Sequence, residues 1–249
     1  MLRIDSVHKV FNKNTLDEFT ALKSLSLSVS EGEFVTIIGG NGAGKSTLFN
    51  IISGSILCDS GLVELDDMDI TYMPVYKRAS YVGRIFQDPM KGTAPNLTVG
   101  ENLIIAYMKS MKKKNISIPS GKDKSYIRER LADLKLGLED RINTKIGLLS
   151  GGQRQAVALV MATLVKPKLL LLDEHTAALD PVSAEAVIEL TKKIVTENNI
   201  TTLMITHNIT SALDYGTRTI MMDMGEITID VSGEERKKLT VQELVSQYK

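Results

Sequence analysis

The chain has no tryptophan and a single cysteine, Cys58. With only one thiol it cannot form an internal disulfide, which favours a reducing compartment such as the cytosol. Aromatic residues make up 5% of the sequence, too few for a protein that recognises RNA by stacking bases on aromatic side chains. Because no run of about 18 consecutive apolar residues occurs, the sequence predicts no membrane-spanning helix.

An excess of charge of one sign is also missing, since 30 basic residues balance 30 acidic ones. A chain with zero formal net charge has no overall attraction to nucleic acid or anionic lipid, and we expect no nucleic-acid partner. The first residues, Met1 to Asp5, lack the apolar core of a secretory signal, so none is expected. The length of 249 residues suits a single α/β domain with a small insert.

Short β-type runs alternate with longer helical stretches, which is typical of a mostly parallel sheet with flanking helices. Leu25, Leu27 and Val29 alternate with serines, as on a strand with one solvated face. Further strands are predicted at Phe34–Ile38, Lys168–Leu172 and Thr201–Thr206, with a hairpin of Arg218–Asp223 and Glu226–Asp230 around Gly225.

Helical patterning dominates from about Thr98 to Leu164, and the tail from Thr240 to Lys249 is typical of a short helix. Within the helical stretch lies a lysine-rich segment, residues 109–115. Such a segment predicts a solvated surface connection. Contact with lipid head groups beneath a membrane partner is the alternative.

A glycine-rich segment follows the predicted strand Phe34–Ile38 and fits the phosphate-loop pattern G-x-x-x-x-G-K-[ST]. Glycines let the backbone curl so that its N–H groups point at phosphate oxygens, and the helix beginning near Lys45 adds its positive dipole end. Lys45 would reach the β- and γ-phosphates of ATP, and the Ser46 hydroxyl would bind Mg²⁺. The nucleotide-binding residues predicted here are Gly39, Gly40, Asn41, Gly42, Ala43, Gly44, Lys45, Ser46 and Thr47.

An acidic pair, Asp173 and Glu174, closes the apolar strand Lys168–Leu172. Asp173 is predicted to be the second Mg²⁺ anchor, directly or through water. Glu174 would polarise the attacking water as general base. Taken alone, the pair could also be a solvent-facing strand end, but the upstream phosphate loop favours the catalytic interpretation.

Between the loop and the acidic pair lies the pentapeptide Leu149-Ser150-Gly151-Gly152-Gln153, which opens a predicted helix. Ser150 is expected to be its N-cap, and the two glycines expose backbone N–H groups. An ordinary capped helix would look the same. However, one chain already has a phosphate loop, so a second anion-binding helix start requires a second nucleotide.

The loop, the pentapeptide and the acidic pair, in that order, resemble the ATP-binding subunits of ABC transporters from Phe11 to about His207. The resemblance implies an α/β fold: a P-loop NTPase core with a mostly parallel sheet, an antiparallel β subdomain and an inserted helical subdomain at about 98–164. We expect residues 1–249 to form one such ABC ATPase domain.

The resemblance also implies a homodimer that sandwiches two ATP molecules. In the family, the segment matching Ser150, Gly151, Gly152 and Gln153 meets the γ-phosphate bound by the other subunit, and the aspartate matching Asp180 crosses the dimer. Neither subunit alone would then have a complete active site.

Three more residues receive roles through the resemblance. Gln87 matches the glutamine loop, which touches the Mg²⁺ and water region and relays its state to the helical subdomain. His207 matches the switch histidine that contacts the γ-phosphate, although a lone histidine at a strand end is more often structural. Phe11 is the candidate for stacking on adenine, with Phe19 as competitor and a core or hinge role as the alternative.

The chain departs from the family at three positions. His175 stands where members often have proline, Ala178 where many have serine, and Gly40 where proline or serine is frequent. None of these changes removes a group from the phosphate chemistry.

The function implied is ATP hydrolysis that powers solute transport through a separate integral membrane permease, at the cytoplasmic face of the membrane. The compact chain, in which no fused membrane domain is expected, resembles a separate subunit of a bacterial uptake system, which favours import. Residues 92–103 are similar to subunits that serve amino-acid-type permeases and extracytoplasmic solute-binding proteins. Two alternatives stay open: an exporter subunit, and a soluble ABC ATPase of the iron–sulfur cluster scaffold type. A DNA-repair ATPase would need a long coiled-coil insert, which the sequence lacks.

Overall fold

The computed structural model of the protein describes residues 1–110, 121–238 and 240–247. Most of the lysine-rich segment, for which a surface connection or lipid contact was predicted, lies outside these residues. In the described ranges no helix is both long and apolar enough to span a membrane. The strands are β1 Leu2–Phe11, β2 Phe19–Val29, β3 Phe34–Ile38, β4 Ser60–Leu65, β5 Met68–Asp69, β6 Val82–Ile85, β7 Leu169–Asp173, β8 Thr201–Ile205, β9 Arg218–Asp223 and β10 Glu226–Ser232. The helices are α1 Lys45–Ser53, α2 Val75–Arg78, α3 Val99–Ser110, α4 Gly121–Ala132, α5 Gly151–Thr163, α6 Pro181–Glu197, α7 Ile209–Tyr215, α8 Gly233–Lys238 and α9 Val241–Gln247.

The chain divides into two compact units. The first unit comprises Met1–Ala79 and Ile200–Lys249, and the second comprises Ser80–Asn199. The helices α3, α4 and α5 all belong to the second unit. That residues 1–249 act as one ATPase domain with a helical subdomain at about 98–164 stays a prediction.

The first unit contains two groups of paired strands. In one, β1 lies between β2 and β4 and pairs with both in antiparallel fashion. In the other, β3 is parallel to both β8 and β9, and β9 forms an antiparallel hairpin with β10. All five residues of β3 are buried, as expected for a parallel strand that is covered on both faces.

A buried arginine closes the C-terminal end of α1 in the first unit. The side chain of Arg78 is 1% exposed. Its guanidinium donates hydrogen bonds to the carbonyl oxygens of Ile51, Ile52, Thr71 and Met73. Two of these carbonyls belong to the last turn of α1, whose acceptors have no partner within the helix. Arg78 therefore fixes the far end of the helix that begins at the phosphate loop.

The second unit contains the parallel pair β6 and β7, in which Arg84 lies opposite Leu171. Its helices bury a core to which α3, α4, α5 and the residues before α5 contribute: Val99, Leu103, Ile127, Leu131, Leu134, Leu138, Ile146, Leu149, Ala156, Val157, Val160 and Leu164. This core holds the start of α5, where the predicted pentapeptide lies.

Several elements agree with the sequence-based prediction. The strand Phe34–Ile38 has the predicted bounds, and the hairpin turns at Gly225 as expected. The strand predicted at Lys168–Leu172 is shifted by one residue and includes Asp173, and the strand predicted at Thr201–Thr206 ends at Ile205. Leu25, Leu27 and Val29 are buried and alternate with exposed serines, which confirms the predicted period of two.

Candidate active site

The phosphate-loop residues lie between β3 and α1 in the first unit. Gly44 precedes α1 with φ 98°, a left-handed conformation that glycine adopts without cost. A Cβ atom at Gly44 would lie 2.5 Å from the carbonyl oxygen of Ala21. Position 44 therefore tolerates only glycine, both for its backbone angle and for the space around it.

Lys45 is the first residue of α1 and is 8% exposed. Its ammonium group donates hydrogen bonds to the carbonyl oxygens of Gly39 at 2.7 Å and Gly40 at 2.9 Å. These bonds hold a positive charge over the loop. Among the described residues no side chain caps the start of α1. The first backbone N–H groups of a helix have no acceptor within the helix, and this is the feature by which helix starts bind anions.

The loop is fixed from outside by the turn of the β9–β10 hairpin. The N–H group of Gly225 donates to the carbonyl oxygen of Ala43 at 3.1 Å. The carbonyl oxygen of Gly225 accepts from the N–H group of Lys23 at 3.1 Å, which ties the same turn to β2. The loop therefore has a defined shape before any ligand contributes to it.

The acidic pair lies at the carboxyl end of β7 in the second unit, the end at which α/β proteins bind ligands. Glu174 has φ 45°, which is uncommon for a residue other than glycine. Asp173 pairs with Arg84 of β6, whose Nη2 atom lies 2.8 Å from Oδ2. Both side chains are largely buried, with exposures of 11% for Arg84 and 16% for Asp173.

Ser150 caps α5 as predicted, and the cap is reciprocal. The Ser150 hydroxyl accepts from the N–H group of Gln153 at 3.3 Å, and the Gln153 side-chain oxygen accepts from the N–H group of Ser150 at 3.3 Å. Arg141 donates a further hydrogen bond to this Gln153 oxygen at 2.9 Å. The polar side chains of the pentapeptide thus hold the helix start in place.

The two glycines of the pentapeptide lie against the start of α6. A Cβ atom at Gly152 would lie 2.9 Å from Cβ of Ser183, and one at Gly151 would lie 3.0 Å from Cδ2 of Leu179. Asp180 caps α6 by accepting from the N–H group of Ser183 at 3.0 Å, and its hydrogen bonds with Ser183 lower the pKa of its carboxyl group. The structure therefore brings together two parts of the predicted site, the pentapeptide and the Asp180 turn.

Gln87 is exposed in the bend that follows β6. The residue before it is held by α5, because Nε2 of the fully buried Gln155 donates to the carbonyl oxygen of Phe86 at 3.3 Å. The ring of Phe86 also lies under the guanidinium of Arg84, 4.7 Å from its centroid. The segment leading to Gln87 is therefore linked both to the pentapeptide helix and to the partner of Asp173.

Phe11 and His207 both lie in the first unit, which also contains the phosphate loop. Phe11 ends β1, pairs with Phe19 of β2, and lies under the ammonium group of Lys9 at 5.4 Å from the ring centroid. Phe19 is 49% exposed. His207 is exposed in the short link between β8 and α7. The adenine-stacking role of Phe11 and the γ-phosphate role of His207 stay predictions.

The donors present suit a magnesium ion carried by a nucleotide. Magnesium prefers oxygen ligands and is usually held by one or two protein groups together with phosphates and water. Ser46 offers an exposed hydroxyl, and Asp173 a largely buried carboxylate that is 16% exposed. In residues 1–110, 121–238 and 240–247 no group of three or more His, Cys, Asp or Glu side chains could hold a metal ion by itself. The donor chemistry therefore fits the predicted group.

Two residues of this region were not found by the sequence analysis, Arg84 and Gln155. Arg84 is the polar residue of the otherwise apolar strand β6, and Gln155 is a buried amide in α5, next to Arg154. A buried charge or amide requires a hydrogen-bonding partner. A polar residue in an element that is expected to be buried was therefore the one signal in the sequence for such a partner. The identity of the partner depends on which strands and helices are adjacent.

The comparison with protein families gives one match over most of the chain. A family model described as "ABC transporter" matches residues 22–177. The tyrosine transport ATP-binding protein of Clostridioides difficile is 47% identical over 248 residues, covering 100% of this chain and 98% of that protein. The phosphonates import ATP-binding protein PhnC of Lactococcus lactis is 34% identical over 249 residues, covering 98% of each.

Solved structures give the same result for the fold. A dimeric ATP-binding cassette in a post-hydrolysis state with ADP and phosphate is 32% identical, with a TM-score of 0.78 over 93% of this chain and 98% of that one. A nucleotide-free cassette from an ABC transporter is 30% identical, with a TM-score of 0.79 over 96% of this chain and 93% of that one. The predicted α/β ATPase-cassette fold is confirmed.

Proposed function

This chain belongs to the ABC transporter family, and we propose that it is the ATP-hydrolysing subunit of a bacterial uptake system for an amino acid. The observation that carries this proposal is the 47% identity to a tyrosine transport ATP-binding protein, which extends over the whole of this chain. Tyrosine is the first cargo to test. The names of further relatives also refer to import, of phosphonates and of spermidine and putrescine.

ATP would bind at the phosphate loop. The curled backbone and the start of α1 present N–H groups to phosphate oxygens, and the ammonium group of Lys45 supplies a positive charge beside them. When ATP arrives, Lys45 would exchange its loop carbonyls for phosphate oxygens. Stabilising the charge on the transferred phosphoryl group is the largest contribution that such a site makes to phosphoryl transfer.

Mg²⁺ would be held by Ser46 and Asp173, with Gln87 nearby, and would supply charge neutralisation at the β- and γ-phosphates. These assignments rest on the order of the motifs and on family membership. Glu174 would accept the proton of the attacking water, and His207 would contact the γ-phosphate. The left-handed backbone of Glu174 supports a functional role, because strain of this kind is concentrated at active sites.

Two copies of the chain would close around two ATP molecules, with Ser150 and Gly152 of one copy completing the cage around the γ-phosphate of the other. The dimeric post-hydrolysis cassette among the structural relatives supports this arrangement. Closure of the dimer would then depend on the γ-phosphate, and hydrolysis of ATP would allow the dimer to open. The contact of the pentapeptide with the Asp180 turn supports a joint role of both at the dimer interface.

The motion would be transmitted to an integral membrane permease at the cytoplasmic face of the membrane, with an extracytoplasmic solute-binding protein delivering the amino acid. The transport and import names of the relatives support the permease as partner, and the solute-binding protein is proposed from the resemblance to amino-acid-type uptake systems. The relatives do not favour the iron–sulfur scaffold alternative, because the named ones serve transport.

Uptake in cells tests the proposal. In a strain whose gene for this chain is deleted, uptake of labelled tyrosine should fall, and it should return with the parent gene but not with Glu174→Gln. An affinity-tagged copy should co-purify from solubilised membranes with a polytopic permease. Recovery of the tagged protein only with iron–sulfur assembly proteins, and unchanged uptake of all amino acids in the deletion strain, would contradict the proposal.

A further inference from the structure

The partner of Asp173 is a cation of the chain itself. Arg84 donates from Nη2 to Oδ2 of Asp173 at 2.8 Å, and the two side chains are 11% and 16% exposed. A pair so shielded from water is screened far less than an ion pair on the surface. The carboxylate that is proposed to anchor Mg²⁺ therefore already carries a positive counter-charge on one of its oxygens.

Arg84 is also held on its other side. Its guanidinium carbon lies 4.7 Å above the centroid of the Phe86 ring, a distance typical of a cation–π contact. The carbonyl oxygen of Phe86 accepts from the fully buried Gln155 of α5. Arg84 thus connects Asp173 to the residue that immediately precedes Gln87.

We propose that Arg84 is a positioning residue that occupies Asp173 as its resident cation and competes there with the divalent metal of the nucleotide. The inference rests on the proposed role of Asp173 as metal anchor. A carboxylate oxygen that accepts from a guanidinium is less available to a metal, and a fixed positive charge nearby repels a divalent cation. A metal ion that binds Asp173 must therefore compete with the hydrogen bond and the positive charge of Arg84. Because the phosphates of ATP supply further ligands to the metal, we expect metal binding at Asp173 to depend on bound ATP.

The competition has a structural consequence within the second unit. With a metal ion bound at Asp173, the Arg84 guanidinium would give up its hydrogen bond to that carboxylate and would keep its contact with the Phe86 ring. The change in the hydrogen bonding of Arg84 would then be passed to Phe86, the residue before Gln87. Arg84 acts through Asp173 and Phe86, so it needs no contact with ATP.

A purely structural arginine and a competing arginine make opposite predictions for Arg84→Met. In both cases the metal-free protein should lose stability, because Asp173 remains as an unpaired and largely buried carboxylate. If Arg84 only supports the fold, metal binding should weaken as well. If Arg84 competes with the metal, metal binding should strengthen, because the unpaired carboxylate attracts a cation and the repelling charge is gone.

The experiment measures binding and not turnover. In the hydrolysis-impaired Glu174→Gln background of the full chain, ATP affinity is measured in excess Mg²⁺ and again in EDTA. The ratio of the affinity in Mg²⁺ to the affinity in EDTA reports how much the metal strengthens ATP binding. We expect Arg84→Met to increase this ratio by on the order of tenfold, and Arg84→Lys, which keeps the charge, to leave it near that of the parent. Melting temperatures in EDTA should fall for Arg84→Met.

Asp173→Asn separates this inference from the proposed site. An unchanged ratio in Asp173→Asn would remove Asp173 from the metal site and with it the basis of the inference. A reduced ratio in Asp173→Asn together with an unchanged or reduced ratio in Arg84→Met would overturn the competition alone. If Arg84→Met does not fold, Arg84→Gln gives the same test, since it removes the charge but keeps a hydrogen-bond donor.

Discussion

The imidazole of His175 is hydrogen-bonded to the hydroxyl of Thr191, with 3.2 Å between Nε2 and Oγ1. The same hydroxyl donates its proton to the carbonyl oxygen of Val187 at 2.7 Å. The imidazole must therefore be the donor, which assigns the proton to Nε2. Both side chains are 2% exposed, and burial lowers the pKa of His175 to about 4. The residue that follows the acidic pair is thus a neutral histidine that ties the end of β7 to α6.

Acid should destabilise the protein through His175. The pKa of His175 is about 4 in the folded chain against an ordinary value of 6.5, so the unfolded chain binds the proton more readily. The stability that this difference provides is complete above pH 6.5 and is lost as the pH falls from there towards 4. Between pH 7 and pH 5 we expect a loss of about 2 kcal/mol in the free energy of unfolding, measured by urea denaturation. In His175→Gln this part of the pH dependence should be absent, and equal slopes in the two proteins would exclude His175 as its source.

Replacing the proposed base should separate binding from turnover. We expect Glu174→Gln to bind ATP, to dimerise and to hydrolyse ATP at least a hundredfold more slowly, because general-base catalysis contributes about 10²–10⁴-fold. Size-exclusion chromatography with ATP reports the dimer, and phosphate release reports turnover. Rapid steady-state hydrolysis by this variant would show that Glu174 is not the base.

Removing the loop cation should act on binding instead. Lys45→Ala loses a charged donor to phosphate, a type of bond that contributes about 1.5–3 kcal/mol. ATP affinity should therefore fall by roughly 10- to 100-fold, measured by equilibrium titration. ATP binding equal to that of the parent protein would contradict the phosphate role of Lys45.

The cap of α5 should contribute both to stability and to dimer formation. We expect Ser150→Ala to cost about 1 kcal/mol of unfolding free energy and also to weaken the ATP-dependent dimer. Thr98→Ala is the matched control, because Thr98 and Glu101 form the same reciprocal cap before α3, with bonds of 3.2 and 2.7 Å. The control should lose similar stability and still dimerise. If both variants dimerise equally well, Ser150 has only the capping role.

Arg78 should be among the most sensitive positions for folding. Arg78→Met removes the guanidinium donor from four carbonyl oxygens, of which, among the described residues, only that of Ile51 keeps a further hydrogen bond, from the N–H group of Gly54. The loss should cost on the order of 3 kcal/mol or more. In Arg3→Met, which removes a 58% exposed side chain, we expect a change within about 0.5 kcal/mol. Thermal and urea unfolding of the two variants measure the difference, and similar stabilities would show that the buried hydrogen bonds of Arg78 contribute little.

The parts of the molecule that sequence could predict are those set by neighbouring residues. The alternation of Leu25, Leu27 and Val29 depends on a period of two, and the cap by Ser150 depends on a residue three positions later. The contact of Arg84 with Asp173 spans 89 positions. The sequence marks Asp173 as a metal anchor but gives no sign that Arg84 is its partner, and only the pairing of β6 with β7 brings the two together. Arg78 was missed for a different reason: charged residues are rarely fully buried, so its burial could not be expected from its residue type.

Gly152 packs so closely on Ser183 that no side chain fits between α5 and α6 at this point. Neither helix start can then slide or tilt without pushing on the other. A displacement of the serine–glycine turn towards α6 would therefore press directly on the Asp180 turn, with no side chain between them to absorb it.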